Sequence, residues 1–358
     1  MADAPPPVQP QASSPQCCPE KHFYGGQAVI EGVMMLGVDR YAVAVRRADG
    51  EVVVGEKPIQ RYGDRHPWAK WPFIRGNVAL LETVALGFGA LQFSADVLAQ
   101  EDRERAASQQ ERDGDKPAKA QGGVGPLLMT LTTVIATALA LGLFVVLPTW
   151  VVDWVMGKGG GQISYGASVV RNLVEGLIRL TVICLYILSI SLLKYVRRVF
   201  EYHGAEHATI NCFEAGEPVT RENAVRHSPL HPRCGTSFLL VVILVKIILG
   251  CFFGWPAPWA RSVIRLALLP IVAGIAYEVI RWAGRHRDSV FAKVLAAPGM
   301  LLQMLTTRRP TEDQVEVAIY ALAAVADEVD LPAGWPPARR LPIPLVAVEK
   351  KLEQVPRR

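Results

Sequence analysis

The chain is 358 residues long, 51% hydrophobic and carries a formal net charge of +5, with a mean hydropathy of +0.23. That is too apolar for an ordinary soluble enzyme, while 20% charged residues is too many for a wholly embedded chain. Aromatic and basic residues are not interleaved as in single-strand binders, so nucleic acid is excluded as a partner, and much of the basic excess instead flanks apolar segments.

Residues 1–20 form a Pro-, Gln- and Ser-rich leader expected to stay disordered, with Cys17 and Cys18 adjacent before a proline. A basic stretch followed by an apolar core is absent there, so no cleaved signal peptide is expected. The six cysteines show no disulfide framework. Residues 21–72 read as a small β-rich cytoplasmic region, because residues 41–45 and 51–54 are apolar runs flanking Asp49-Gly50, a hairpin turn pair. Residues 73–98 form an apolar helix. Its core, 76–95, is broken by Asn77, Glu82 and Gln92 and is expected to lie at the interface or against the bundle rather than to cross. Residues 99–125 are charged, Gln- and Gly-rich, and read as a linker.

Residues 126–281 carry the membrane bundle. Residues 127–152 lack any charge and are long enough to span about 30 Å of hydrocarbon. Further spans are expected at 169–193, 237–254 and 263–280. Lys194, Arg197 and Arg198 follow the second span and Arg281, Arg285 and Arg287 the fourth, whereas the two loops on the other side hold one basic residue each, Lys158 and Arg261. That asymmetry predicts a multi-pass protein of the inner cell membrane with both termini cytoplasmic, and Trp150, Trp154, Trp255 and Trp259 as an outer aromatic belt. Arg171, Glu175 and Arg179 form one stripe, and Glu175 is expected to approach Lys246. Residues 282–328 read as interfacial and amphipathic helices, with Thr311 and Gln314 as a capping box. The tail, 329–358, is Pro-rich and basic. The fold class is thus mainly α: a polytopic helical membrane bundle of about four spans with a small N-terminal β-containing region.

The chemistry concentrates in the cytoplasmic loop 195–236. In Tyr202-His-Gly-Ala-Glu-His207 the 3.6-residue period puts His203 and His207 on one helix face, one turn apart, where both reach one ion. The plain alternative is a surface helix with two capping histidines. His227, His231 and Cys234 precede the third span, and Glu278 ends the fourth, so these groups are expected to converge at one membrane face. Glu278 pairing with Arg281 is the competing reading. A divalent metal is expected, zinc first and iron second, with His203, His207 and His231 as ligands. Glu206 is then the general base toward a metal-bound water. Cys234 or Glu278 completes the site, and His227 stands in reserve.

Five motifs carry a resemblance: Tyr24-Gly-Gly-Gln-Ala-Val-Ile-Glu-Gly-Val-Met-Met35, Pro72-Phe-Ile-Arg-Gly76, Tyr202-His-Gly-Ala-Glu-His207, His231-Pro-Arg-Cys-Gly-Thr-Ser-Phe238 and Ala273-Gly-Ile-Ala-Tyr-Glu-Val-Ile-Arg281. Together they resemble the YqhQ-like family of multi-span membrane proteins described as metal-dependent enzymes. The resemblance covers about residues 22–326 and implies membrane location and a metal without supplying a reaction. It also adds Glu31, in the family's opening motif, as a further site residue. Two positions depart from the family pattern: Leu36 stands where a basic residue is usual, and Ala208 where Lys is.

Two functions follow. One is a membrane-bound, metal-dependent enzyme of hydrolase type whose substrate lies at the lipid bilayer. The other is a non-catalytic assembly, scaffold or transport factor in which a structural metal or the histidine cluster locks the loop.

Overall fold

The computed structural model describes residues 24–113, 126–157, 163–286, 289–327, 329, 331, 335 and 338–342. Cys17, Cys18 and His22, the end of the linker, Lys158 and Arg287, and the last part of the tail lie outside the described residues.

Four antiparallel strands open the fold: β1 (Gly25–Val29), β2 (Gly32–Leu36), β3 (Arg40–Arg46) and β4 (Val52–Pro58). The Asp49-Gly50 signal does close the β3–β4 hairpin, with Gly50 at φ +91° and the Glu51 amide donating to the Asp49 side chain. A fifth strand from the far end of the chain, β5 (Arg339–Pro342), adds in parallel to β4. Apolar residues run continuously through β2 and β3 instead of alternating with polar ones. The reason is that both faces of the sheet are covered, so inward and outward side chains alike are buried.

After a short helix, α1 (Tyr62–Arg65), comes α2 (Ile74–Asp113). Ala90, Phe93 and Val97 of α2 close one sheet face against Val29, Met34, Tyr41, Val43, Val45 and Val53. Polar contacts extend the pairing: the Ser94 hydroxyl donates to the Ile30 carbonyl, and the Glu101 carboxylate accepts from the Ala48 amide. The first turns of α2 lie instead against a later helix. Gly76 there permits contact with Tyr277, since a Cβ on Gly76 would sit 2.6 Å from the Tyr277 Cβ.

Next come α3 (Pro126–Leu141), a π-helical turn (Gly142–Val146) and α4 (Leu147–Val155), which run on without a break. Pro148 has no N–H to offer the carbonyl four residues back, that of Phe144. Arg179 takes that orphaned carbonyl instead, at 3.0 Å. Then follow α5 (Tyr165–Ile190), α6 (Lys194–Ala215), α7 (Arg221–Ala224), α8 (Gly235–Phe252), α9 (Pro258–Arg285), α10 (Val290–Thr306) and α11 (Glu312–Ala323). The capping box predicted at Thr311 and Gln314 starts α11. With α6, α11 covers the second sheet face: Tyr202, Ala205 and Ile210 pack with Val315, Ala318, Ile319 and Leu322 on Val33, Met35, Ala42 and Ala44.

Among the described residues, five helices are long and apolar enough to cross a membrane: α2, the α3–α4 run from Val134, α5, α8 and α9. The sequence reading expects four and counts α2 out; the structure gives α2 the length of a span and also packs its second half on the sheet. The expected approach of Lys246 to Glu175 is present as a shared cavity and a Coulombic contact without a direct ion pair. Lys246 lines the same cavity, but the partners of the Glu175 carboxylate are Arg179 at 2.8 Å, Arg265, and the Thr149 hydroxyl at 3.1 Å. Arg265, on α9, carries a charge on the same bundle and was not anticipated as the partner.

Candidate metal centre

Helix α6 brings the two histidines together because the packing of its buried face outweighs the helix cost of Gly204, about 1 kcal/mol, and Gly216 in the left-handed region stops it. The rings of His203 and His207 lie 4.5 Å apart between centroids. Each is fixed by a backbone carbonyl. His203 Nδ1 bonds the Thr306 carbonyl at 2.9 Å and His207 Nδ1 the Pro229 carbonyl at 2.7 Å. A carbonyl only accepts, so both Nδ1 atoms are donors and the neutral rings keep their lone pairs on Nε2. This is the tautomer that imidazole metal ligands adopt.

The third group is Cys234, the N-cap of α8, whose Sγ lies 3.2 Å from His203 Nε2. One nitrogen of each histidine and this sulfur lie within 4.8 Å of one another. A tetrahedral zinc site with Zn–N near 2.1 Å and Zn–S near 2.3 Å has ligand-to-ligand edges of about 3.3–3.6 Å. The three donors therefore stand close to that spacing already, and two imidazoles with a thiol suit zinc or iron.

Two side-chain amides, missed by sequence reasoning, hold the loop before α8. Asn211 donates to the Ser228 and Leu230 carbonyls at 2.8 and 3.0 Å. Gln303 accepts from the His231 amide and donates to the His231 carbonyl, both at 2.9 Å. The signals were present: Asn211 follows His207 by one turn, and Gln303 is the lone polar residue in Met300-Leu-Leu-Gln-Met-Leu305.

The other expected site residues fall elsewhere. His231 is near, its ring 5.7 Å from that of His207, but its Nδ1 lies 3.4 Å from the Arg233 amide and its Nε2 lies 3.7 Å from Glu214. Burial lowers the pKa of His231, with Glu214 pulling the other way. Cys234, not His231, is the third member of the cluster. Glu278 does not converge at all, nor does it pair with Arg281. Arg75 of α2 grips both its oxygens, with Nε at 2.7 Å. His227 faces Glu217 at 3.3 Å in a separate group with Cys212, whose thiol burial pushes up to about 11. Glu31 sits in the left-handed region at φ +54° in the β1–β2 turn. There it pairs with Arg198 and accepts from the Tyr202 hydroxyl at 3.3 Å.

Glu206 is turned toward β1. It is buried, and a Cβ on Gly26 would come within 3.1 Å of its Cδ. Burial raises its carboxyl to about 7, against the pull of His203 and of the hydrogen bond to the Gly26 backbone. Its Oε2 is buried without a partner among the described residues.

A sheet covered on both faces, a bundle of long apolar helices and a His-His-Cys cluster where the two meet define a multi-helix protein with a small α/β head. A family model described as a protein of unknown function (DUF1385) matches residues 71–328, and the chain belongs to that family. It is 34% identical over 296 residues to the uncharacterized protein YqhQ of Bacillus subtilis (strain 168), across 83% of this chain and 90% of that relative. No solved structure matches it.

Proposed function

We propose that the chain is a multi-pass protein of the inner cell membrane that holds one divalent metal, zinc first and iron second, at its cytoplasmic face. There it carries out a hydrolytic reaction on a membrane-proximal substrate. The observation behind this reading is the His203, His207 and Cys234 cluster with both Nδ1 atoms tied back. Three protein donors rather than four are the pattern of a catalytic site that keeps a position open. When bound, the metal supplies a Lewis acid that polarises an oxygen beside it. Glu206 is the group that takes and returns the proton. A buried carboxylate oxygen without a partner is costly, and a role in proton transfer accounts for it.

Four crossings are favoured by parity. The strands β1–β4, helix α6 and helix α11 share one core, so they belong on one side of the bilayer. Three apolar helices lie between β4 and α6, and three crossings would put α6 on the opposite side. We therefore read α2 as lying along the sheet and the bundle without crossing. Lys194, Arg197 and Arg198 then share the cytoplasmic side with the metal cluster.

Metal analysis of the full-length protein in detergent tests the site. The wild type should hold about one zinc or iron per chain, His203→Ala, His207→Ala and Cys234→Ala should lose it, and Glu206→Gln should keep it. In a host lacking its own family member, Glu206→Gln should fail to complement. A metal-free wild type, or an equal metal content in the three ligand variants, defeats the reading. A structural metal is the second reading, favoured because the cluster staples α6 to the start of α8 and to the Thr306 carbonyl. In that case the ligand variants lower protein abundance and Glu206→Gln complements fully.

A further inference from the structure

Far from the His-Cys cluster, at the other end of α8, the bundle encloses a second polar site. Cys234 and Lys246 are twelve residues apart, about 18 Å along a helix axis. The cavity lies between α5, α8 and α9, and is lined by Arg179, Lys246, Arg261 and Arg265 with a single carboxylate, Glu175. Close helix contact shapes its wall: a Cβ on Gly176 would come 2.3 Å from Ile247.

Charges in such a place are expensive and are kept only with a partner or a role. Glu175 is fully engaged by Arg179, Arg265 and Thr149. Asp153 answers Arg261 with one contact at 3.1 Å, and the Arg261 guanidinium lies 4.0 Å over the Trp255 ring. That leaves an excess of cations. Arg261 is 4% exposed, yet its Nε and Nη1 are buried without hydrogen-bond partners among the described residues. Lys246 makes no hydrogen bond or ion pair among them either. Buried guanidinium N–H groups left unsatisfied, beside an ammonium that Glu175 reaches only through space, are matched by an anion with several acceptor oxygens.

We propose that this cavity binds a phosphate group, with Arg261 and Lys246 as its principal contacts and Arg265 and Arg179 completing the positive field around it. The group is either free phosphate or the phosphate of a lipid headgroup reaching in from the bilayer. The site does not depend on the metal reading.

Thermal unfolding of full-length protein decides it. In detergent, wild type is titrated with inorganic phosphate against sodium chloride at matched ionic strength. In nanodiscs it is compared in phosphatidylglycerol and in a galactolipid, which has no phosphate. Stabilisation by phosphate in detergent assigns a free-phosphate site, and stabilisation by phosphatidylglycerol alone assigns a headgroup site. The Lys246→Gln, Arg261→Gln double variant should lose either response, while His203→Ala should retain it. Where the double variant does not fold, Lys246→Gln alone should weaken the apparent affinity roughly tenfold, because it removes one charge-assisted contact. No response of the wild type to either probe, or an undiminished response of the folded variant, overturns the proposal.

Discussion

Gly204, between the two site histidines, shows how much a single residue decides. A Cβ there would lie 1.9 Å from the Arg308 carbonyl oxygen, and the Arg308 amide bonds the Phe200 carbonyl at 3.0 Å. Backbone cannot retreat as a flexible side chain can. Gly204→Ala should therefore push the 306–308 segment away and with it the Thr306 carbonyl that orients His203. Metal affinity should fall at least about tenfold, the range seen when an outer partner of a ligand is lost; a variant with wild-type affinity for zinc in a chelator competition refutes the coupling. Glu214 offers a pH test at the same scale. Burial raises its carboxyl, but hydrogen bonds from His231 and Arg233 outweigh it and hold the group at about 2. A depressed carboxylate contributes stability above its ordinary value of 4.5 and loses it as pH falls toward about 2. Wild type should thus lose stability between those values more steeply than Glu214→Gln, measured as unfolding temperature against pH. Parallel curves would remove Glu214 from the loop's support.

At the scale of elements, what the sequence made legible was local. The 3.6-residue spacing of His203 and His207, the Asp49-Gly50 turn and the Thr311–Gln314 cap each depend on neighbours within a few positions, and each is present. Long-range choices were not legible. Whether Glu278 faced the histidine cluster or a basic partner depended on α2 lying against α9, and Arg75 is 203 residues away in sequence. Whether His231 or Cys234 entered the cluster was equally remote, since Gln303, 72 residues on, grips the His231 backbone while the His231 ring faces Glu214. The family resemblance pointed to Glu31, yet the turn that strains it hands its carboxylate to Arg198. Likewise, length and hydropathy mark α2 as long enough to span, while its polar breaks and its packing on the sheet argue against a crossing.

For the whole molecule, the four-crossing reading makes a definite prediction about sidedness. Arg61→Cys and Arg105→Cys, one before α2 and one in its last turns, should react with an impermeant thiol reagent from the same side as Thr220→Cys. Gly157→Cys should react from the opposite side, all measured in sealed vesicles against wild-type background labelling. Reaction of the first two from opposite sides would make α2 a true crossing. The apolar faces of α5 and α9 would remain lipid-facing in either outcome, with Leu177 and Leu266 exposed on them.

Strand β5 has one more implication. The sheet begins within the first thirty described positions, yet its last rung is supplied by residues 339–342, beyond every long apolar helix. During synthesis the head must therefore wait, with one margin of β4 unzipped, until every one of those helices has been made. A chain cut short at any of the later helices keeps that margin bare, an invitation to proteolysis or to mispairing. Completion of the head thus registers that the helical bundle has been delivered.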